Sequence, residues 1–255
     1  MPRPFEGKVA LVTGGNVGIG KATAIMFAQT GARVVIAARR VAEGEQTIEA
    51  IRQAGGEALY VRTDVTQAAD VEALVHQTVA TYGRLDCAFN NAAGTGGNGP
   101  LHTLAEEDWE RIMAVNLKGV WLCMKYQITQ MLTQGGGAIV NNSSAAGLIG
   151  LSRNPTYAAS KHGLVGLSKS AALQYATQGL RINVVCPGLV MTPRMDEAFA
   201  RGPGVQEWFL SKQPTGKGGS PEEVAQAVVW LCSDAASFVT GVALPVDGGV
   251  VSGVW

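Results

Sequence analysis

The stretch VALVTGGNVGIG, residues 9–20, decides the fold. It starts as a short apolar run typical of a buried strand and passes through a glycine-rich turn into a helical pattern. Glycines in such a turn let the backbone approach a pyrophosphate, and the free N–H groups at the helix start favour an anion. We therefore predict a dinucleotide-binding turn, with a plain tight turn as the alternative. The predicted cofactor contacts in this turn are Gly14, Asn16, Gly18, Ile19 and Gly20.

Similar apolar runs alternate with stretches of helical spacing along the rest of the chain. Continuous Val- and Ile-rich runs are typical of strands covered on both faces, so the alternation predicts a parallel sheet with helices on both sides. The predicted strands lie at 9–12, 34–37, 85–89, 139–140, 182–186 and 242–246, and the predicted helices at 19–29, 71–81, 109–131 and 224–232. We expect one α/β domain over residues 1–255, a length that open α/β sheets commonly use.

One segment, at about 193–219, interrupts this alternation. Its glycines and prolines break an otherwise apolar, amphipathic stretch, which is either a surface connection or a lid over a bound ligand. We favour the lid because long loops in compact domains are often functional. The few charges near its tryptophan and phenylalanines favour an uncharged or hydrophobic ligand over a sugar acid. The predicted lining residues are Met195, Phe199, Trp208, Phe209 and Leu210.

The charge balance argues against polyanionic partners. The chain of 255 residues has 20 Lys plus Arg and 20 Asp plus Glu, so no net charge attracts it to nucleic acid or to an anionic membrane. Its four cysteines are isolated among apolar residues, without the spacing of a zinc site or the density of a disulfide scaffold. The N-terminal MPRPFEGK lacks the apolar core of a secretory signal. The default expectation is a cytoplasmic protein with a small-molecule substrate.

The end of the second predicted strand, VVIAARR at 34–40, bears on the choice of cofactor. An acidic residue is expected there in a protein that binds the ribose hydroxyls of NAD, but Ala38 occupies that place. Arg39 and Arg40 offer charge-assisted hydrogen bonds to a 2′-phosphate. We therefore predict NADP(H), with NAD(H) as the runner-up, since two arginines also commonly open a solvated loop.

Four further motifs carry a family resemblance. These are FNNAAG at 89–94, NNSSAAG at 141–147, YAASK at 157–161 and PGLVMT at 187–192. Together with the glycine turn, they make the chain resemble the short-chain dehydrogenase/reductase family over essentially its whole length. The family turn is Thr-Gly-xxx-Gly-x-Gly, which residues 13–20 match. The resemblance implies a Rossmann fold with a doubly wound parallel sheet of about seven strands in the order 3-2-1-4-5-6-7, and usually a homotetramer.

The resemblance also implies positions for the cofactor. Asp64 would lie by the adenine, and the segment that begins at Asn90 would flank the adenosine ribose. The backbone of Val190 and the hydroxyl of Thr192 would hold the nicotinamide carboxamide. Ala93 stands where the family usually has glycine. The further cofactor contacts expected in this way are Asp64, Val65, Asn91, Ala92, Tyr157, Lys161, Pro187, Gly188, Val190 and Thr192.

The spacing of Tyr157 and Lys161, four residues apart on a predicted helix, is by itself typical of ordinary surface neighbours. The resemblance implies more. Tyr157 would be the general acid/base, with its pKa lowered by the Lys161 ammonium and by a positively charged nicotinamide. Lys161 would also bind the nicotinamide ribose, and Ser144 would polarise the substrate oxygen. Asn116 would hold a water in the proton relay. No metal is expected.

Two alternatives stay open from the sequence. One is an NAD-dependent alcohol dehydrogenase of the same family, and the other is a non-catalytic nucleotide-binding sensor. The apolar tail GGVVSGVW, which ends at Trp255, is expected to pack at a subunit interface or near a neighbouring active site.

Overall fold

A computed structural model describes residues 3–253. Its seven strands form one parallel sheet in the order β3-β2-β1-β4-β5-β6-β7, which confirms the predicted order. The strands are β1 Val9–Thr13, β2 Arg33–Ala38, β3 Ala58–Arg62, β4 Cys87–Asn90, β5 Gly137–Asn142, β6 Leu180–Pro187 and β7 Ala243–Val246. The helices are α1 Gly18–Gln29, α2 Val41–Gln53, α3 Ala68–Tyr82, α4 Glu106–Met113, α5 Gly119–Thr133, α6 Pro155–Tyr175, α7 Pro193–Phe199, α8 Val205–Leu210 and α9 Pro221–Cys232.

Both faces of the sheet are covered, as the continuous apolar runs predict. In β1, Ala10 and Val12 pack on the side of α1 and α9, whereas Val9 and Leu11 pack on the side of α3, α5 and α6. The residues of β1 are all buried. The four cysteines are buried and free, as expected for small core residues. Among the described residues, no helix combines the length and apolarity needed to cross a bilayer.

The strand register gathers the carboxyl ends of the central strands at one edge. Thr13 is in register with Asn90, and Asn90 with Asn141. The loops that follow β1, β4 and β5 therefore leave the sheet side by side. In open α/β sheets, ligands bind in the crevice outside this edge.

The structure departs from the predicted elements in three places. No apolar run or helical pattern was assigned to β3 or α2, because apolar residues are sparse in α2 and β3 is short and only partly buried. The predicted helix 109–131 is α4 and α5 joined through a π-helix, Ala114–Lys118. The predicted lid contains two short helices, α7 and α8, where the sequence indicated only an interrupted amphipathic stretch.

Candidate active site

The turn after β1 is built on glycines that a side chain would strain or crowd. Gly14 and Gly18 have φ values of +63° and +53°, a conformation that favours glycine. The Gly14 N–H donates to the Ala37 carbonyl at 2.7 Å, which fixes the turn to β2. A Cβ on Gly20 would overlap the Gly14 carbonyl oxygen, so α1 packs directly on the turn. The predicted residues Asn16 and Ile19 lie in the same turn, buried and partly buried respectively.

The loop after β4 is hydrogen-bonded to this turn. The N–H groups of Asn91 and Ala92 donate to the Thr13 hydroxyl at 3.0 and 3.1 Å. The Asn91 side-chain amide donates to the carbonyls of Thr13 and Gly14 at 3.2 and 3.0 Å. The polar atoms of Asn91 therefore hold the glycine turn, a role that the sequence did not indicate.

The turn after β6 lies against the same place. Thr192 precedes α7, and its methyl carbon is 3.1 Å from the position that a Cβ on Gly18 would take. Gly188 donates its N–H to Val246 at 3.1 Å, and a Cβ there would lie 2.8 Å from the Cα of Asp247. Pro187 ends β6, and Val190 is buried. The structure thus brings the PGLVMT segment beside the glycine turn.

The predicted adenosine end is divided between β2 and the loop after β3. Arg39 and Arg40 are exposed at the end of β2, and Arg40 forms an ion pair with Glu43 at 3.0 Å. Burial raises the pKa of Asp64, but hydrogen bonds from Thr66 and the charges of Arg39 and Arg62 outweigh it, so the pKa is lowered overall. The Asp64 carboxylate is therefore ionised near Arg39. Its neighbour Val65 is buried against Gly119.

Asn116 lies fully buried in the π-helix between α4 and α5. Its Oδ1 accepts the Gly94 N–H at 2.8 Å, and its Nδ2 donates to the Gly94 carbonyl at 3.1 Å and the Ser160 hydroxyl at 3.2 Å. Ser160 in turn donates to the Tyr157 carbonyl at 2.7 Å. Asn116 thus connects the loop after β4 to the first turns of α6. Ala93 is exposed in ordinary backbone, so its replacement of glycine causes no strain.

Ser144 and Tyr157 meet at the carboxyl edge of the sheet. Ser144 follows β5, and its Oγ accepts the Ala146 N–H at 3.1 Å. Asn154 caps α6 by accepting the Tyr157 N–H at 3.1 Å, which places the phenol in the first turn. The Ser144 hydroxyl is close enough to the phenol to act on its pKa, in the lowering direction. A hydroxyl and a phenol therefore lie together at this edge, an arrangement in which both can donate to one substrate oxygen.

The pKa of Tyr157 departs in the direction opposite to the predicted one. Burial raises it, and the Ser144 hydroxyl and the Arg194 charge oppose that rise without overcoming it. The ammonium of Lys161 lies 5.6 Å from the ring centroid and donates to the Asn142 carbonyl at 2.7 Å. It therefore does not reverse the effect of burial. The lowering that the sequence assigned to a cationic nicotinamide stays a prediction.

Lys161 is 1% exposed, one of the largest fully buried side chains. Burial lowers its pKa to about 8; the nearby Cys186 thiol acts to raise it and the Arg194 charge to lower it. Leaving a charged amine in the interior costs free energy. We infer that the fold maintains this lysine at the expense of stability.

This buried charge predicts a pH-dependent stability difference. Between the folded pKa of about 8 and the ordinary value of 10.5, the unfolded chain binds more protons at Lys161, so stability increases with pH. Lys161→Met removes this contribution. Urea unfolding should show the free energy of unfolding of Lys161→Met minus that of the unsubstituted protein decreasing by about 1–2 kcal/mol from pH 8 to 9.5. A pH-independent difference would contradict the assignment.

The predicted lid is packed around an aromatic cluster. The ring centroids of Phe199 and Phe209 are 5.8 Å apart, and those of Trp208 and Phe209 are 5.0 Å apart. The guanidinium of Arg153, just before α6, lies 5.4 Å from the Trp208 ring centroid. The predicted lid therefore contacts the segment that leads into α6. Met195 and Leu210 are partly buried in α7 and α8.

Arg194 is a site residue that the sequence analysis did not single out. It is exposed in the first turn of α7, yet its charge lowers the pKa of both Tyr157 and Lys161. Its position two residues after Thr192 in PGLVMTPR was the available signal. Arg194 also places a positive charge near Tyr157, so the place where a substrate would bind is less apolar than the sequence of the predicted lid indicated.

The arrangement fits a nicotinamide dinucleotide. Gly14, Gly18 and Gly20 let the backbone of the turn pack closely at the start of α1, where helix N–H groups and the dipole favour an anion such as a pyrophosphate. Arg39 and Asp64 lie at the adenosine end, and Tyr157 and Lys161 at the other. We find this donor set chemically suited to the two ends of such a cofactor.

Comparisons with known proteins show the family to which this fold and its motifs are similar. A family model described as enoyl-(acyl carrier protein) reductase matches residues 14–251. The chain is 45% identical over 246 residues to the 2,5-dichloro-2,5-cyclohexadiene-1,4-diol dehydrogenase of Sphingobium indicum, which covers 96% of this chain and 97% of that protein. It is 43% identical over 252 residues to the cyclohexanol dehydrogenase of an Acinetobacter species, covering 99% and 98% respectively.

A solved structure shows the same fold. The crystal structure of levodione reductase superposes with a TM-score of 0.94 at 33% sequence identity, and the match covers 98% of this chain and 100% of that chain. The sequence and structure comparisons thus agree over nearly the whole length.

Proposed function

Because this chain belongs to the short-chain dehydrogenase/reductase family, we propose that it is an NADP(H)-dependent oxidoreductase that interconverts a ketone or aldehyde and an alcohol. The observation that carries the proposal is that Ser144, Tyr157 and Lys161 lie together at the edge of the sheet that also carries the glycine turn. Spacing alone is equally compatible with a surface pair, and these surroundings support the catalytic interpretation of Tyr157 and Lys161.

The chain's own residues perform the proton chemistry in this proposal. In carbonyl reduction, the Tyr157 phenol donates its proton to the substrate oxygen, and in alcohol oxidation the phenolate accepts it. Ser144 donates a hydrogen bond to the same oxygen and stabilises the negative charge that develops there. The Lys161 ammonium favours the Tyr157 phenolate because it carries the opposite charge. This effect appears once the groups around the phenol offset the rise in its pKa caused by burial. Asn116, through Ser160, keeps the Tyr157 turn in place.

The bound nicotinamide supplies or takes the hydride. Gly14, Gly18 and Gly20 would accommodate the pyrophosphate, and Lys161 would bind the nicotinamide ribose. Thr192 and the backbone of Val190 would orient the carboxamide. Asp64, Val65, Asn91 and Ala92 would flank the adenosine, and Pro187 and Gly188 would shape the turn beside the nicotinamide. The short approach of Thr192 to Gly18 supports this assignment.

We propose a secondary alcohol on a carbon ring, or the matching ring ketone, as the substrate class. Two of the relatives described above are named for their action on ring alcohols. The lid, taken as residues 193–219 of a single cofactor-binding domain, contributes Phe199, Trp208 and Phe209 to an apolar cover. Planar and cyclic hydrocarbon groups pack well on aromatic rings.

A substrate panel tests the proposal. Purified protein is assayed with NADPH and cyclic ketones, and with NADP⁺ and cyclic alcohols, by absorbance at the nicotinamide band. Turnover with a ring substrate is the expected result. Cofactor binding without turnover across a broad carbonyl and alcohol panel would instead support a nucleotide-binding sensor.

The cofactor preference depends on Arg39. Arg40 is paired with Glu43, whereas Arg39 acts on Asp64 at the adenosine end, so Arg39 is the better candidate for a 2′-phosphate. We expect Arg39→Asp to lower kcat/KM for NADPH by about a hundredfold, because a charge-assisted bond is replaced by repulsion. The value for NADH should stay the same or rise.

Arg40→Gln is the matched control for this prediction. It removes a neighbouring arginine whose charge is already paired, and it should change the NADPH to NADH ratio much less. Equal losses with both cofactors in Arg39→Asp, or a larger effect from Arg40→Gln, would argue for NAD(H) as the natural cofactor.

We also propose a homotetramer, as is usual in the family. Exposed apolar side chains on α5, α6 and the segment before β7, including Trp121, Leu173 and Phe238, support buried subunit contacts. Trp255, which we expected at an interface, lies outside the described residues. Analytical ultracentrifugation of the full chain measures the assembly directly.

A further inference from the structure

We propose that Asn142 is a positioning residue of the cofactor site, which holds the glycine turn in shape by fixing the side chain of Asn91. This inference rests on the proposed cofactor site. Asn142 is the last residue of β5, two positions before Ser144. The family motifs in this region point to the serine and leave Asn142 unassigned.

The contacts form one chain of hydrogen bonds across three strands. Asn142 Nδ2 donates to Asn91 Oδ1 at 2.8 Å. The other end of the same amide, Asn91 Nδ2, donates to the carbonyl oxygens of Thr13 and Gly14. A Cβ on Gly14 would lie 2.9 Å from Asn91 Nδ2, so this nitrogen is packed against the turn itself. The turn after β1 is thus connected to β5 through two side-chain amides.

Only one orientation of the Asn91 amide serves the turn. Its nitrogen faces two carbonyl oxygens, and its oxygen must then meet a donor on the other side. Asn142 supplies that donor. If Asn91 rotated its amide by 180°, its oxygen would face the carbonyls of Thr13 and Gly14, which is repulsive. The Nδ2 group of Asn142 therefore selects the orientation that supports the turn.

A purely structural role does not explain an amide at this position. Asn142 is 9% exposed, and its Oδ1 is buried without a hydrogen-bond partner among residues 3–253. An unpaired buried acceptor is unfavourable, and an apolar side chain would avoid this cost. The other buried asparagine of β5, Asn141, has hydrogen-bond partners at both ends of its amide, in Asn90 and Ser168. Asn142 therefore retains its unpaired Oδ1 because the other half of the amide, Nδ2, is needed to donate to Asn91.

The same residue also contacts the catalytic lysine through its backbone. The Asn142 carbonyl accepts the Lys161 ammonium at 2.7 Å. Asn142, a single residue of a central strand, therefore makes hydrogen bonds toward both ends of the proposed cofactor site. Because a backbone carbonyl is present in any variant, side-chain substitutions at Asn142 test the turn separately from the lysine.

The test measures binding of ADP-ribose, NADPH and NADH by isothermal titration calorimetry. ADP-ribose contains the pyrophosphate and both riboses but no nicotinamide ring, so it reports on the turn without the ring contacts at Val190 and Thr192. Lys161, which would bind the second ribose, is unchanged in these variants and keeps its contact with the Asn142 carbonyl. We expect Asn142→Ala and Asn142→Asp to weaken ADP-ribose and the preferred dinucleotide by a similar factor, about tenfold. The carboxylate in Asn142→Asp has nearly the amide's shape but no N–H to donate, so it separates shape from hydrogen bonding.

Asn183→Ala is the matched control. Asn183 is a buried asparagine in β6 whose side chain bonds to Val239 and Val242, away from the turn. It should lower the melting temperature without changing ADP-ribose affinity. If Asn142→Ala and Asn142→Asp bind ADP-ribose as tightly as the unsubstituted protein, or lose only dinucleotide affinity, the inference is overturned.

If the variants fail to fold, a measurement on the unsubstituted protein tests the inference. The side-chain amide signals of Asn91 and Asn142 in a ¹H–¹⁵N spectrum should exchange slowly with solvent and shift on addition of ADP-ribose. Fast exchange, or unchanged signals at saturation, overturns the inference. A protein that binds neither ADP-ribose nor either dinucleotide refutes the proposed function itself, and the inference with it.

Discussion

Tyr157→Phe is expected to lower kcat for carbonyl reduction by about 10²- to 10⁴-fold, the usual contribution of a positioned general acid. The substitution keeps the ring and removes the hydroxyl that lies within reach of Ser144. The loss should appear in kcat and in kcat/KM equally, since the proton is transferred only in the transition state. Steady-state assays with any substrate that the unsubstituted protein reduces measure this.

Tyr175→Phe is the control for that experiment. Tyr175 is the last residue of α6, so it lies at the opposite end of this helix from Tyr157. Its side chain packs against the hydrophobic core on one face of the sheet. The control should retain activity close to that of the unsubstituted protein. Undiminished turnover in Tyr157→Phe would remove the proposed mechanism, whereas equal losses in both variants would point to a general effect on α6.

Gly20→Ala is expected to weaken dinucleotide binding by about ten- to a hundredfold. The added Cβ would overlap the Gly14 carbonyl oxygen and approach Asn91 Nδ2, so the turn itself must move. Such overpacking costs about 1–3 kcal/mol, and each 1.4 kcal/mol corresponds to a factor of ten in affinity. Calorimetric titration with NADPH and NADH measures the change, with the melting temperature recorded in parallel.

Gly150→Ala provides the comparison for this prediction. A Cβ on Gly150 meets no atom within 4 Å, and its φ is not in the left-handed region. We expect its affinity for the dinucleotide to be unchanged. Normal binding in Gly20→Ala would show that the turn adapts to a side chain, which is incompatible with the proposed close approach of the backbone to a pyrophosphate.

The sequence predicted the sheet well because its central strands are nearly pure apolar runs. Such runs identify β1, β2, β4, β5 and β6, and the glycine turn and the motif order fix their connection. β3 and α2 were not predicted, because both are only partly buried and their hydrophobic pattern is weak. The π-helix at Asn116 was also not predicted, since one extra residue in a single turn is difficult to recognise from hydrophobic periodicity.

The site was predicted by motif and not by geometry. Position in the chain identified Ser144, Tyr157 and Lys161, but the direction of the Tyr157 pKa depends on burial, which sequence spacing does not report. Long-range contacts were invisible for the same reason. The hydrogen bond from Asn142 to Asn91 joins residues 51 positions apart, and Arg194 reaches Tyr157 from another element.

The base of the lid is closed by backbone hydrogen bonds. Val190 and Gly219 form a parallel bridge, in which Met191 N–H donates to Gly219 at 2.8 Å and Gly219 N–H donates to Leu189 at 2.9 Å. The ends of the intervening segment are thus fixed side by side on the frame. Changing the length of a segment with fixed ends costs little, about 0.6 kcal/mol per doubling. The segment therefore tolerates exchange, and we expect libraries or grafts confined to it to alter substrate range while leaving the proposed catalytic residues in place.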